Sequence, residues 1–400
     1  MPLDLDFVRG HFPGLASPWA FMDNAGGSHV LAGVADRVRD FLLTTPVQHG
    51  ASYGPSAEAA RKVAEATAAI AAMIGAARPE EVVIGGSTTF LLQQLARAMA
   101  SSFRPGDEIV VTDADHESNI GPWRALERLG VVIREWRVDP DSLELELDAL
   151  DRLLGPRTRM VCVTHCSNVL GTIMPVAEIA RRVHAAGAEL CVDGVAYAPH
   201  RAIDVQALGC DWYVYSFYKT YGPHQAVLWG RHERLLELDS LNHDFIGRDR
   251  VPYKLQPGNV NYELAWGCAG IPDYLAALAA HHGADAFELI AEQEEALAAP
   301  LLAWLGARND IRIIGRRTAD RAQRVPTISF VADGRSSAEI VAAVDPARIG
   351  IRYGDFYARR LIEHLGLADC QGVVRVSLVH YNTAGEVERL LAALEDALAA

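Results

Sequence analysis

The sequence predicts an α/β protein, in which a mostly parallel sheet flanked by helices is followed by a smaller α/β domain. Three observations carry this reading. From about residue 57 to residue 230, short apolar runs alternate with stretches of helical periodicity, the pattern of strands joined by crossover helices. From about residue 271 the texture changes to long alanine- and leucine-rich stretches with fewer strands between them. The chain of 400 residues is also too long for one compact core, so two or three domains are expected.

Taken in order, residues 1–20 carry no strong signal. Phe21-Met22-Asp23-Asn24-Ala25-Gly26-Gly27 is a short apolar entry into a polar, glycine-rich turn. Residues 57–74 are alanine-rich with helical period. Strands are then expected at 82–84, 108–112, 131–138, 160–164 and 189–192, with helices at 89–100, 120–129, 147–154 and 176–186 between them. Two more strands, 212–215 and 226–229, flank a connection short enough for a hairpin, which predicts one antiparallel strand there. Beyond 271, helices at 272–281, 284–305, 338–344 and 386–398 and strands at 311–314, 327–331 and 373–378 predict a smaller unit with a mixed sheet. No repeat, low-complexity linker or heptad run is visible, and the alanine-rich C-terminal helix reads as packing.

Composition narrows the class. Half the residues are hydrophobic and 22% charged, as in an ordinary globular chain. No run reaches the ~20 uninterrupted apolar residues of a membrane span, and the acidic start, Met1-Pro2-Leu3-Asp4-Leu5-Asp6, lacks the basic region and apolar core of a signal peptide. A net charge of −14 argues against nucleic acid and anionic membranes as partners. Of the six cysteines, Cys162 and Cys166 flank a short run, but no second pair follows at zinc-site spacing. They read as free buried thiols, which fits a reducing cytoplasm.

The residues that can carry chemistry sit at strand ends, where open α/β sheets bind ligands. Gly85-Gly86-Ser87-Thr88-Thr89 joins a strand to a helix. Its free N–H groups and hydroxyls can cradle a phosphate, although no lysine follows the glycines as in a Walker loop. The next strand ends in Asp113-Ala114-Asp115-His116, whose histidine can lie against an aromatic ring or move protons. A third ends in His165-Cys166-Ser167-Asn168, with an amide suited to a phenolic oxygen. The fourth ends in Asp193 and the fifth in Ser216-Phe217-Tyr218-Lys219. An acid and a lysine so placed fit an enzyme of pyridoxal phosphate, whose lysine forms a Schiff base while the acid pairs with the pyridinium nitrogen. Taken singly these residues also read as a capped helix, a loop histidine, a turn asparagine and an ion pair on a sheet rim.

The ordered set resembles the fold-type I pyridoxal 5'-phosphate enzymes of the class V aminotransferase family, in the branch of cysteine desulfurases and selenocysteine lyases. His116-Glu117-Ser118-Asn119-Ile120-Gly121-Pro122-Trp123 resembles that branch's H-x-x-N-I-x-P-W segment. Ser167-Asn168-Val169-Leu170-Gly171-Thr172 is similar to S-N-x-x-G-T, and Val192-Asp193-Gly194 to V-D-G. Arg375-Val376-Ser377 with Tyr381-Asn382-Thr383 resembles the R-x-S-x-x-x-Y-N-T close of the family's small domain. The resemblance covers nearly the whole chain. It implies a large domain over 21–284 with a seven-stranded, mostly parallel sheet, and a small domain from 1–20 and 285–400. It further implies that Lys219 carries the Schiff base and moves the Cα proton, that Asp193 keeps the ring nitrogen protonated, and that His116 stacks on the ring. Thr88, Thr89 and Ser216 would hold the phosphate with Tyr218, helped by Asn259 of the partner subunit in a homodimer. Asn168 would touch the ring oxygen and the substrate, and Arg375 would take the carboxylate of an L-amino acid in a two-pronged pair. A pocket for the substrate's side chain is expected from Tyr53, Tyr197, Phe356 and Tyr357.

Three departures bear on the reaction. Desulfurases of this branch carry an R-x-G-x-x-C loop whose cysteine accepts sulfur, but here the loop is Arg352-Tyr353-Gly354-Asp355-Phe356-Tyr357. A phenol cannot accept sulfane sulfur as a thiolate does, and Cys370 lies thirteen residues further on. The family's Gln of D-G-x-Q becomes Ala196, and the His before the lysine becomes Tyr218, a poor proton relay near neutral pH. The expected activity is therefore β-elimination from an L-amino acid, as by a C–S or C–Se lyase without a persulfide on a loop cysteine. Transamination and epimerisation share the same carbanion and stay open, as does a non-catalytic scaffold.

Overall fold

The computed structural model describes residues 2–399. Thirteen strands occur in chain order: β1 (Ala20–Phe21), β2 (Val82–Gly85), β3 (Glu108–Thr112), β4 (Val132–Trp136), β5 (Thr158–Thr164), β6 (Glu189–Asp193), β7 (Trp212–Ser216), β8 (Ala226–Gly230), β9 (Ile311–Ile314), β10 (Thr327–Ala332), β11 (Ile349–Gly350), β12 (Arg352–Gly354) and β13 (Val373–Ser377). Seven of them form the main sheet in the order β2-β8-β7-β6-β5-β3-β4. Every pairing there is parallel except the two made by β8. The expected antiparallel strand is thus β8, returned by the hairpin that carries Lys219.

The period-2 alternation of side chains explains why this sheet is covered on both faces. Val82, Ile84, Val161, Val163, Leu190 and Val192 point into one core. Their neighbours Val83, Met160, Cys162 and Cys191 point into another on the opposite face. A third core lies around the small sheet, between Ile313, Phe330 and Val376 on its strands and Leu301, Val341 and Leu390 on helices. The helix Ala286–Gly306 spans two of these cores, with Ile290 in the first and Leu301 in the third, so the small sheet is anchored to the large one by a shared rod.

The sequence reading needs correction in several places. The four-stranded small sheet, β12-β13-β10-β9, is antiparallel throughout rather than mixed; a parallel pairing in this half occurs apart from it, between β1 and β11. Residues 120–129 form a four-residue α-helix, Gly121–Arg124, that tightens into a 3₁₀ segment, Ala125–Leu129. The first twenty residues contain a helix, Leu5–Gly10, capped by Asp4, whose side chain accepts from the N–H groups of Asp6 and Phe7. The helix Ala32–Thr44 is not among the expected elements, although Val34, Val38, Phe41 and Leu42 recur at helical spacing; of these Val34 and Phe41 are buried. Among the described residues no helix is long and apolar enough to cross a membrane.

Since β2, β3, β5, β6 and β7 run in one direction, their C-terminal ends share one edge of the sheet. That edge is where the candidate residues meet.

Candidate active site

One cavity gathers residues from all five strand ends: Thr88 and Thr89 after β2, His116 after β3, Asn168 after β5, Asp193 closing β6, and Ser216 closing β7 with Tyr218 and Lys219 after it. In its wall, Thr88 Oγ1 and Ser216 Oγ lie 2.7 Å apart and buried. Thr88 opens the helix Thr88–Met99, which Ser87 caps by accepting from Phe90 N–H. Hydroxyls and free N–H groups thus converge at a helix N-terminus, which favours an anion.

Asp115 fixes the next wall. Its carboxylate accepts from the Thr112 hydroxyl, from Asn119 Nδ2 at 2.7 Å and from Thr164 N–H at 3.1 Å, tying the end of β3 to that of β5. The following His116 is held by Ser118, whose N–H reaches its Nδ1 at 3.0 Å. This leaves the proton on Nε2. Burial, together with the positive charges of Lys219 and Arg375, pushes His116 down to about 4, so the ring is neutral at physiological pH.

Asp193 and Lys219 line the same cavity but make no ion pair within 4 Å among the described residues. The plain alternative of a salt bridge on a sheet rim therefore fails. Asp193 Oδ1 accepts from Val195 N–H at 2.9 Å, and burial raises the carboxyl to about 6. Gly194 follows because a Cβ there would meet the Tyr213 ring at 2.2 Å. Lys219 is also buried. Loss of solvation, and next the charge of Arg375, lower its ammonium to about 8, against the opposing pull of Asp193.

Asn168 Nδ2 donates to the Phe356 carbonyl at 2.9 Å, while its Oδ1 is buried with no hydrogen-bond partner. Such an orphan acceptor is unfavourable unless a ligand engages it. A buried orphan acceptor on a lining residue, a lysine and a carboxyl that do not pair, and a hydroxyl cradle together fit pyridoxal phosphate. Gly171, three residues on, sits at φ +69° with no room for a Cβ beside the Thr327 carbonyl, which holds the turn that carries Asn168.

Arg375 is 2% exposed. Its Nη1 donates to the Asn168 carbonyl at 3.2 Å and its Nη2 to Asp23 at 2.9 Å, while Nε is buried without a partner. The guanidinium lies 3.7 Å from the centre of the Phe356 ring. Asp23, which sequence reasoning passed over as part of a turn, also stands 3.6 Å from Arg352. The bridge between Asp23 and Ser377, with the Met22 and Asn24 backbone bonds to Ser377 and the pairing of β1 with β11, brings these distant segments together, and no local signal announces it.

Other expected residues fall elsewhere. Tyr197 does not line the cavity but stacks on His165 at 3.5 Å. Phe356 packs under Arg375, and Tyr53 is exposed at the start of the helix Gly54–Met73. Of the four aromatic residues expected around the substrate, Tyr357 lines a cavity, the one adjoining this site, with its ring 5.1 Å from His116. Ala196 lies in the cavity wall. Asn259, at φ +70°, does not line its own chain's cavity.

A sequence profile described as Aminotransferase class-V matches residues 20–390. The chain belongs to the class V aminotransferase family. It is 43% identical to the aminotransferase-like protein FGM3 of Gibberella zeae, with 98% of each chain covered. It is 35% identical to the cysteine desulfurase-like protein ustD of Aspergillus flavus, over 98% of this chain and 90% of that one. Among solved structures, the apo cysteine desulfurase of Thermococcus onnurineus NA1 superposes with a TM-score of 0.89 at 26% identity, covering 99% and 98% of the two chains. Membership of this family makes the chain an enzyme dependent on pyridoxal phosphate.

Within a family that includes desulfurases, the thiols of this class V enzyme are poorly placed. All six are free, and five are buried. Burial pushes Cys166, the one in the cavity wall, up to about 12, and Cys370 is only partly buried but does not line the cavity. Alkylating the native protein with iodoacetamide is therefore expected to leave turnover unchanged. A loss of activity that tracks modification of Cys370 would show that this thiol takes part.

Proposed function

We propose that this class V enzyme binds an L-amino acid through its carboxylate and eliminates the β-substituent, acting as a C–S or C–Se lyase without a protein persulfide. The observation that carries the reading is a Lys219 and Asp193 that share a cavity without pairing, together with a tyrosine at the loop position where a sulfur acceptor is required. Bound through Lys219, pyridoxal phosphate supplies an electron sink for the pair left at Cα. In this reading Asp193 holds the proton on the ring nitrogen, and neutral His116 lies against the ring. Thr88, Thr89, Ser216 and Tyr218 hold the phosphate, Asn168 engages the ring oxygen through its orphan Oδ1, and Arg375 orients the substrate carboxylate. Tyr357 borders the substrate's side chain.

With its amine freed when the substrate's amino group takes its place on the cofactor, Lys219 would take the Cα proton, the electron pair would form the Cα–Cβ double bond, and the β-substituent would leave with its own bonding pair. The released 2-aminoacrylate hydrolyses to pyruvate and ammonia. Incubation with single amino acids should yield pyruvate and ammonia without any 2-oxo acid added. Amino-group exchange that requires an added 2-oxo acid would instead assign a transferase and overturn the lyase.

We further infer a homodimer in a reducing cytoplasm. An apolar surface of exposed Val30, Leu42 and Leu43 with half-buried Val38 and Leu264 supports the association, and the placement of Asn259 away from its own cavity fits a role for Asn259 of the partner subunit near the phosphate. Free cysteines support the compartment.

The two shifted groups set the pH dependence of cofactor uptake. Lys219 is an ammonium below about 8 and an amine above it, so capture of added pyridoxal phosphate by apo protein should quicken with pH and level off above about 8. Asp193 is protonated below about 6 and then cannot pair with the pyridinium, so affinity should fall as pH drops through that value. Stopped-flow absorbance on apo protein measures both. A capture rate flat from pH 6 to pH 9 would contradict the role given to Lys219.

A further inference from the structure

A second cavity, of about 730 Å³, adjoins the first and shares Thr89, His116, Ser118 and Tyr218 with it. Its size is within the ~300–1,000 Å³ range of small-molecule sites and is large for a β-substituent alone. Two helical stretches wall it. On the helix Thr88–Met99, the lining residues Thr89, Gln93 and Arg97 recur every fourth position and so form one row, rising ~12 Å from the first to the last. On the other side Ser118, Pro122, Ala125 and Leu126 lead to Arg128. Each row thus runs from a residue of the shared wall to an arginine, with Ala96, Pro122, Ala125 and Leu126 giving an apolar stretch between.

The charge of this groove is opposite to that of the protein. The chain carries 51 acidic against 37 basic residues, yet the one acid lining the groove, Glu117, is taken by Arg360 at 3.2 Å. Glu127, beside Arg128 in sequence, faces Arg124 at 3.6 Å. Among the described residues neither the Arg97 nor the Arg128 guanidinium pairs with a carboxylate. Two uncompensated cations in one cleft of an acidic protein focus the field on an incoming anion.

We propose that this groove is a subsite for an elongated small molecule ending in a carboxylate, whose charged end meets Arg97 and Arg128 while its other end enters the first cavity. The carboxylate belongs to the side chain of the amino-acid substrate or to a second substrate. The inference rests on the first cavity being the amino-acid site.

The test uses purified holoenzyme and reads binding rather than turnover. L-2-amino dicarboxylic acids of increasing chain length, and their uncharged straight-chain counterparts, are titrated through the visible absorption of the bound cofactor. The long diacids are expected to bind about tenfold more tightly than the neutral chains (about 1.4 kcal/mol). The Arg97→Gln/Arg128→Gln double variant, changed only at exposed residues, should lose that margin while L-alanine titrates as before. In a second arm, dicarboxylates lacking the amino group are added to alanine-saturated holoenzyme and followed by the unfolding midpoint. Stabilisation there that the double variant loses assigns the carboxylate to a second substrate. Preference in the first arm assigns it to the side chain. Equal binding of charged and neutral chains with no effect in the second arm overturns the proposal, as does a preference that survives in the double variant. A holoenzyme that fails to respond even to L-alanine overturns the amino-acid site itself, and this subsite with it.

Discussion

Replacing Lys219 by alanine is expected to remove the visible absorption of bound cofactor from the purified protein and to abolish turnover. Lys219 lines the same cavity as Asp193 and is lowered to about 8 by burial and Arg375, so near pH 7 a usable fraction is already the neutral amine. A positioned base of this kind contributes about 10²–10⁴-fold to proton transfer, and loss of the covalent link adds to that. The chain makes the test unusually clean, because it has only three lysines, at 62, 219 and 254. Lys62 is buried and paired with Asp40 at 2.8 Å. Lys254 is buried and donates to the Leu238 carbonyl at 2.8 Å. Borohydride reduction of the holoenzyme, followed by peptide mass spectrometry, should therefore label Lys219 alone. The Lys219→Arg variant separates chemistry from folding, since it keeps a cation of similar length but cannot form the imine; it should fail as fully as the alanine variant. If the alanine variant kept the absorption band, or lost less than about a hundredfold in rate, Lys219 would not be the anchoring residue.

How far these features were legible follows from the range over which each is specified. Strand β3 was placed to the residue, and β6 and β7 to within one at their ends, because period-2 apolar runs bounded by polar residues are local signals. The five strand ends were legible for the same reason, and a parallel sheet then gathers them on one edge without further information. What could not be read depends on contacts far apart in sequence. The pairing of Asp23 with Arg375 spans 352 positions, and Asp23 on its own is one acid in a glycine-rich turn. Phe356 and Tyr197 were expected in a pocket, yet one lies beneath a guanidinium and the other against His165. An aromatic residue has the same look in sequence whether it lines a cavity or fills a core. The small sheet was misread as mixed because strand direction depends on which strands become neighbours, and β10 pairs with β13 across more than forty residues.

Arg375→Lys is expected to raise the KM for an L-amino acid by roughly a hundredfold, about 2.7 kcal/mol, while leaving the cofactor's absorption band in place. The native guanidinium spends Nη1 on the Asn168 carbonyl and Nη2 on Asp23, and is oriented by the Phe356 ring beneath it. This leaves the orphaned Nε available to a substrate carboxylate, with Nη2 able to join it if Asp23 yields. Arg352, 3.6 Å from the other oxygen of Asp23, gives that acid an alternative partner when it does. Lysine has one compact ammonium in place of the planar fork. It cannot hold Asn168, Asp23 and a carboxylate in one plane, and it loses the flat contact with Phe356. Folding should survive, because a cation remains beside Asp23, which is partly open to solvent with its side chain 29% exposed. The comparison that isolates the role uses the matching amine without a carboxylate. Its binding, read from the cofactor band, should be the same in both proteins, since nothing on it would reach Arg375. A variant that weakened amine and amino acid equally would make Arg375 a support for the pocket rather than the carboxylate's partner. Asp23→Asn sharpens the same point, because freeing Nη2 from a charged partner should tighten amino-acid binding where the lysine variant weakens it.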